Sequence, residues 1–492
     1  MKAIELINQL VTKNMLTRVP EELVITKVTQ DTREIESGSM FICIAGAVYN
    51  GHELAEEAVE KGAAVIIASE EINVSVPVVY VSDTVKAMAI LANHFYQSPS
   101  QELHMIGVTG TNGKTTVTHL LDQIFRDHQE RTGVIGTMYR RIGDDVFEAK
   151  NTTPDSITLQ KTLREMKEAD VTTCSMEVSS HALVQGRVWG TDFDVAVFTN
   201  LSQDHLEYHH TMEEYGHAKE LLFSQLGNTY RGDQPKYAIL NTDDPVGRSY
   251  QNKTAALVYS YGIVQPADFR ATHLKITNQG TSFTLLFKNE AYPVKMQLVG
   301  KFNVLNALAA FAAAYASGLP LPSVIASMEK IKGVRGRFEV VQGEQDFAII
   351  VDYAHTPDGL LNVLNAVNEI KSGKVYCIVG CGGDRDRTKR PIMADVAFTH
   401  ADHVIFTSDN PRTEDPQMIL NEMVANLEEN TYQMIPDRRT AIQAAVDQAT
   451  TDDIILIAGK GHEDYQIIGH EKHHFDDVEE AKKAVKLKNK EI

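Results

Sequence analysis

Cysteine is scarce: Cys43, Cys174, Cys377 and Cys381 are the only thiols in 492 residues, and they are scattered. That excludes a disulfide framework and points to a reducing compartment, the cytoplasm. The one short spacing, Cys377 to Cys381, lacks the second pair that a thiolate metal site needs. Long apolar runs are also missing. No stretch approaches the roughly 18 residues of a membrane span, so no membrane insertion is expected. Positive charge is in deficit: 47 Lys and Arg face 66 Asp and Glu, a formal net charge of −19. Nucleic acid and anionic membranes are poor partners for such a chain. A local basic pocket for a small anionic substrate remains compatible with it. Internal repeats and low-complexity segments are absent.

What is there is a globular composition, 43% hydrophobic and 23% charged, with length for about three domains at roughly 100–200 residues each. The N-terminal MKAIELINQLVTK sets Ala3, Leu6, Ile7 and Leu10 at i, i+3, i+4 and i+7, which predicts an amphipathic helix. Glu5, Asn8 and Gln9 break any export-type apolar core. Polar QSPSQE (97–102) and glycine-punctuated KGVRGRFE (332–339) read as joints. They divide the chain into 1–98, 99–332 and 333–492. Short apolar runs closed by turn residues (MIGV, DVAVFTN, AIIVDY, VYCIVG, HVIF, DIILIAG) alternate with helical patterns. The expectation is an α/β protein with largely parallel sheets, whose ligands bind beyond the carboxyl ends of the strands.

MIGVTGTNGKTT (105–116) is a strand, a glycine-rich loop and a helix start. In such a loop, here Gly110, Thr111, Asn112, Gly113 and on to Thr116, backbone N–H groups point at phosphate oxygens. Lys114 adds a point charge and the Thr115 hydroxyl suits Mg²⁺. The strict spacing wants glycine at 108, where Val108 stands, so the loop is a variant. A turn that used glycine for geometry alone would not demand Lys–Thr at the helix start. CSMEVSSHAL (174–183) puts Glu177 just past an apolar stretch. FTNLSQDHLEYHH (198–210) concentrates Asp204, His205, Glu207, His209 and His210 after a strand. Oxygen ligands with one imidazole suit Mg²⁺ on nucleotide phosphates, although any one histidine there also reads as a solvated loop residue. Lys219, in EEYGHAKELLF (213–223), reads from its pattern alone as a surface or snorkelling side chain.

Together these pieces resemble the Mur ligase family. GTNGKTT, NTTPDS, EVSSHAL, TNLSQDHLEYH, YGHAKELLF, GKFNVLNALAA, GVRGRFE, DYAHTPD, GCGGDRDRTKRP, DNPRTEDP and AGKGHEDYQ occur in family order over nearly the whole chain. QDTREIESGSMFICIAG (30–46) looks like the family's uridine-nucleotide domain, with Thr32 where the family usually has serine; the hydroxyl is kept. The resemblance implies three α/β domains: an N-terminal uridine-nucleotide domain, a central P-loop ATPase and a C-terminal Rossmann-like domain. It implies a cytoplasmic, monomeric, ATP- and Mg²⁺-dependent amide ligase of peptidoglycan synthesis. Its substrates would be UDP-MurNAc-L-Ala-D-Glu and meso-diaminopimelate, joined through an acyl phosphate. By the same resemblance Lys219 is a carbamylated lysine that joins Thr115, Glu177 and His205 as metal ligands, and Lys114, Glu177, His205 and Lys219 form the catalytic set. Asn303, Asn306 and Asp352 match nucleotide contacts, with His355 close by. Thr152, Thr153, Ser179, Gln185 and Arg187 match positions that hold the muramoyl dipeptide.

DNPRTEDP (409–416) bears on which amine is used. The distal end of diaminopimelate is a zwitterion, so its reader needs both signs. Arg412 can fork onto the carboxylate. Asp409 and Glu463 can accept from the ammonium, with Asn410 assisting and Gly459 in the same motif as Glu463. Arg385 is expected on a substrate carboxylate too, and Arg387, two residues on, could exchange with it. The plain alternative is that Arg412 only pairs with Glu414 or Asp415. Lysine lacks the distal carboxylate and would leave a buried arginine unpaired. Competing readings are lysine addition, a folate-glutamate ligase, and a P-loop ATPase that switches conformation without making a bond. The DNPR and uridine-domain matches argue against the folate ligase.

Overall fold

Three sheets follow one another along the chain in the computed structural model, which describes residues 1–11, 13–15, 18–46, 49–228, 234–277, 280–428 and 431–491. The first has five strands in the order Asn14–Met15, Val78–Tyr80, Ala63–Ala68, Ser39–Ile42, Lys27–Thr29, parallel except at the Asn14–Met15 edge. The expected N-terminal helix is shorter than its pattern, Ala3–Ile7, because Asn8 and Gln9 turn the chain; Leu10 is nevertheless buried with Leu6 and Ile7.

The central sheet has eleven strands. Its middle is parallel, with His104–Thr109 between Val195–Phe198 and Thr173–Glu177. Antiparallel strands extend both edges. The inner strands are covered on both faces, which is why they read as unbroken apolar runs rather than alternating ones. Val117, Leu120, Leu121 and Ile124 of the helix Lys114–Asp127 pack into one core with the almost wholly apolar helix Lys301–Ala316.

The third sheet orders Glu339–Val340, Ala348–Asp352, Ile454–Ala458, Val375–Val379, His403–Phe406 and Gln433–Met434, parallel apart from the first pair. All six apolar runs named from sequence are strands. A hairpin, Tyr465–Ile468 with Glu471–His474, stands outside the sheet. Among the described residues, no helix is long and apolar enough to cross a membrane.

Candidate active site

The phosphate loop leaves the central strand His104–Thr109 and enters the helix Lys114–Asp127. Lys114 curls back over it, its ammonium donating to the Gly110 and Thr111 carbonyls at 2.9 and 2.7 Å. Asn112, Gly113, Thr116, Asn306, Asp352 and His355 line one cavity of about 320 Å³ between the central and C-terminal sheets. Asn303 stands behind it and accepts from the Asn306 amide at 3.3 Å. Phe302 and Leu305 supply an apolar wall. Asp352 accepts from the Phe338 and Ala354 amides at 2.6 and 2.7 Å. Burial pushes its carboxyl up to about 6 against the pull of Arg337.

Glu177 is fully buried beside this loop. It accepts from the Thr115 hydroxyl at 3.0 and 3.1 Å, from the Thr137 amide at 2.8 Å and from the Thr137 hydroxyl at 3.1 Å. Lys219 overturns its pattern-based reading as a surface residue: it is 1% exposed and donates to the Gly110 carbonyl at 2.9 Å. Its helix, Met212–Ser224, is pressed against the loop, which leaves no route for the side chain to reach water. Burial, with the Lys114 ammonium adding to it, holds the Lys219 amine well below the usual lysine range.

His205 stands apart from this pair. It has a left-handed backbone (φ 53°) and turns to Asp204 and Glu207, each at 3.4 Å. His209 is buried, bonded to the Ser180 hydroxyl at 2.9 Å and stacked on Tyr215. Among the described residues, no three His, Cys, Asp or Glu side chains are gathered as a metal site. The expected ligands are neighbours only in part, each satisfied by protein partners. Cys377 and Cys381 are buried thiols pushed up to about 12 by burial, which suits core packing.

Thr152, Thr153, Ser179, Gln185 and Arg187 form one connected strip next to Glu177. The Thr153 hydroxyl donates to the Glu177 carbonyl at 2.9 Å and accepts from the Ser179 amide at 3.0 Å. Arg187 donates to the Thr153 carbonyl at 2.9 Å and to Gln185 Oε1 at 2.6 Å. The Thr152 hydroxyl meets that of Thr137 at 3.0 Å. Thr32 is not part of this strip; it sits in the first domain's 3₁₀ turn Thr32–Glu34.

The best-gathered set is Arg385, Asp409, Asn410, Arg412, Gly459 and Glu463, which line a second cavity of about 490 Å³ with Thr152, His205 and His355. The acids around Arg412 are committed elsewhere. Glu414 accepts from Arg390 at 2.9 and 3.0 Å and from Arg387 at 2.8 Å, and its carboxyl is held down at about 2, chiefly by the Arg390 hydrogen bonds. Asp415 caps the helix Pro416–Val424. Among the described residues, the Arg412 guanidinium bonds carbonyls, Gly383 at 2.7 Å and Asn410 at 3.5 Å. Arg385 makes no ion pair among the described residues, whereas Arg387 is tied to Glu414 and Glu422. Of these two arginines, Arg385 alone lines the cavity.

Asn410 Nδ2 donates to Glu463 at 2.8 Å and its Oδ1 accepts from the Ile467 amide at 2.9 Å and from Lys460 at 3.2 Å, so the assistance open to it is to position Glu463. Gly459 has φ +114°, and a Cβ there would sit 2.6 Å from Asp409 Oδ2.

Sequence reasoning missed several residues. Arg337 lies in a stretch read as a joint and as a family-like piece, with no role given to the residue itself. Its guanidinium donates to the Thr115 hydroxyl at 3.0 Å, lies 4.5 Å from the Tyr353 ring centroid and lines the cavity of about 320 Å³. Gly336 (φ +66°) permits this placement, because a Cβ would collide with the His462 backbone. The arginine between two constrained positions was the available signal. Asp358 accepts from phosphate-loop Asn112 at 2.8 Å and from Ser202 at 2.7 Å. Such pairs, distant in sequence, leave no local signature. A wider cleft, about 1080 Å³, borders the hairpin, and of the expected site residues Glu463 reaches it.

Comparison with known proteins fits this geometry. Three family profiles match consecutive segments: Mur ligase family, catalytic domain, over residues 24–96; Mur ligase middle domain over 108–314; and Mur ligase, glutamate ligase domain, over 336–461. The protein named UDP-N-acetylmuramoyl-L-alanyl-D-glutamate–2,6-diaminopimelate ligase from Lactiplantibacillus plantarum is 55% identical over 489 residues, 99% of each chain. Its namesake from Bacillus cereus is 55% identical over 469 residues, 95% of this chain and 96% of that one. A solved structure bearing the same name has a TM-score of 0.68 at 36% identity, covering 94% of this chain and 95% of the other. With a phosphate loop, a polar strip beside Glu177 and a cavity lined by both signs of charge in one molecule, and relatives that match end to end, this chain belongs to the Mur ligase family.

Proposed function

We propose that the protein is an ATP-dependent ligase that joins meso-diaminopimelate to the D-glutamate side-chain carboxylate of UDP-MurNAc-L-Ala-D-Glu in peptidoglycan synthesis. It works as a cytoplasmic monomer. Residues 1–98 take the uridine nucleotide, 99–332 the ATP and 333–492 the amino acid. Arg412 carries the choice of amine: it lines the cavity with Arg385, and the acids beside it in sequence are bonded elsewhere. A guanidinium with no ion pair among the described residues, in one cavity with the Asp409 carboxylate, fits a zwitterion.

A carboxylate does not react with an amine at neutral pH. Transfer of the γ-phosphoryl group of ATP makes an acyl phosphate and ADP; the amine attacks the acyl carbon, and phosphate leaves through a tetrahedral intermediate. Lys114 and Arg337 supply fixed positive charge on the phosphate-loop side, where the transferring group becomes more anionic. Arg187 and the Thr153–Ser179 pair orient the dipeptide beside Glu177.

Mg²⁺ would be held by Thr115, Glu177, His205 and carbamylated Lys219. The buried Glu177 carboxylate against the Thr115 hydroxyl is a fitting start for an oxygen-rich site. Bound there, Mg²⁺ neutralises phosphate charge. The carbamate reading is supported by the burial of Lys219 beside a second cation, which favours its neutral amine, the form that adds CO₂.

The decisive test is phosphate release from ATP with the UDP-muramoyl dipeptide, comparing diaminopimelate and lysine. Release should require both acid and amine and strongly favour diaminopimelate. Arg412→Lys should lower kcat/KM for diaminopimelate on the order of 100-fold with ATP binding unchanged. Full-rate release by the protein alone would overturn the ligase.

A further inference from the structure

Lys460 follows the strand Ile454–Ala458 and is completely buried. Its ammonium donates to Asn410 Oδ1 and to Glu463 Oε2, each at 3.2 Å, and lies 5.4 Å from the Tyr465 ring centroid. It does not line the amino-acid cavity, but Asn410, Glu463 and Tyr465 do. A buried ammonium is costly unless negative charge answers it. Among the described residues its one carboxylate partner is Glu463, which also accepts from the Asn410 amide. Arg438, another buried cation, is matched by Asp477 at 2.7 and 2.8 Å. Glu414 is consumed by Arg390 and Arg387. Lys460 therefore reaches the cavity through Glu463, whose charge it offsets.

We infer that Lys460 is a specificity-determining residue that sets the charge of the amine's distal pocket, so that a zwitterionic end is accepted and a bare ammonium is refused. The inference rests on the function proposed above. Arg385, Arg412, Asp409 and Glu463 share the cavity, and Lys460 stands behind its wall bonded to Glu463. A zwitterionic end can answer an arginine with its carboxylate and Asp409 with its ammonium. The distal end of lysine is a lone ammonium: it leaves the arginines unanswered, and Glu463, already answered by Lys460, has less to offer it. Lys460 acts without touching substrate: it holds Glu463 and Asn410 and offsets the Glu463 charge.

The test is the ratio of kcat/KM for meso-diaminopimelate over L-lysine in the wild type and in Lys460→Met, Lys460→Gln and Lys460→Arg. Methionine keeps the length of the side chain, glutamine keeps a donor to Glu463, and arginine keeps the charge. The ratio should fall about tenfold in the Met and Gln variants, through relative gain with lysine, and return in the Arg variant. General damage to the fold would lower both constants together and leave the ratio alone. An unchanged ratio in whichever neutral variant folds would overturn the inference, as would an equal shift in the Arg variant, which would mean packing and not charge. A wild type that uses neither amine is a different result, and would remove the proposed function itself.

Discussion

Lys219 and Arg412 show how far a side chain's meaning depends on what surrounds it. By pattern, Lys219 is one more lysine on a helix. In the fold it is buried against the Gly110 carbonyl, with Lys114 adding positive charge and Asp204 opposing it. Lys219→Ala is expected to lose activity on the order of 100-fold, with part of it restored by added short carboxylates that stand in for the carbamate. Full activity without rescue would remove the modification. For Arg412, the acidic neighbours that made it ambiguous are accounted for one by one: Glu414 to Arg390, Asp415 to a helix cap. What is left over is a guanidinium at the edge of a cavity.

At the level of elements, the site is built by two loops that follow the strands Val375–Val379 and His403–Phe406. Glu414 ties them together, accepting from the Asp384 amide as well as from Arg390 and Arg387. Glu414→Ala leaves the fully buried Arg390 with the Glu422 carboxylate and the Gly382 carbonyl, a loss of about 2 kcal/mol. It should also raise KM for diaminopimelate, since Arg385 sits on the loop released. Because the Glu414 carboxyl is held at about 2 against an ordinary 4.5, its stabilisation is complete above about pH 4.5 and disappears as pH falls through 2. The stability gap between wild type and variant, measured by denaturation at a series of pH values, should shrink across that window. A constant gap would mean that the ion pair is not its source.

Across the whole molecule, the proposed nucleotide cavity lies where the central and C-terminal sheets meet. Asp358, at the start of the helix Pro357–Ile370, holds Asn112 of the phosphate loop and Ser202 of the following loop. Arg337 crosses the same junction to Thr115. Asp358→Ala should therefore raise KM for ATP roughly tenfold, the worth of hydrogen bonds to a charged acceptor, and leave the nucleotide-bound enzyme less compact by small-angle scattering. Asp358→Asn, which keeps one acceptor, should lose less. Unchanged scattering and KM would show that the junction is held without it.

The sequence by itself determined the α/β class, the six core strands and the strand, loop and helix of the phosphate loop, because each lies in a contiguous stretch whose apolar period or turn chemistry is local. It read QSPSQE and KGVRGRFE as joints, from turn residues that speak only of a break. Tertiary structure alone decided that Lys219 is buried, that Asn410 bonds Glu463, that Arg385 and not Arg387 lines the cavity, and that Arg337, Asp358 and Lys460 reach Thr115, Asn112 and Glu463. The physical reason is common to all of them. Burial and charge pairing are set by groups far apart in the chain, and a residue's charge has a use only once the fold has settled which neighbours have already neutralised it.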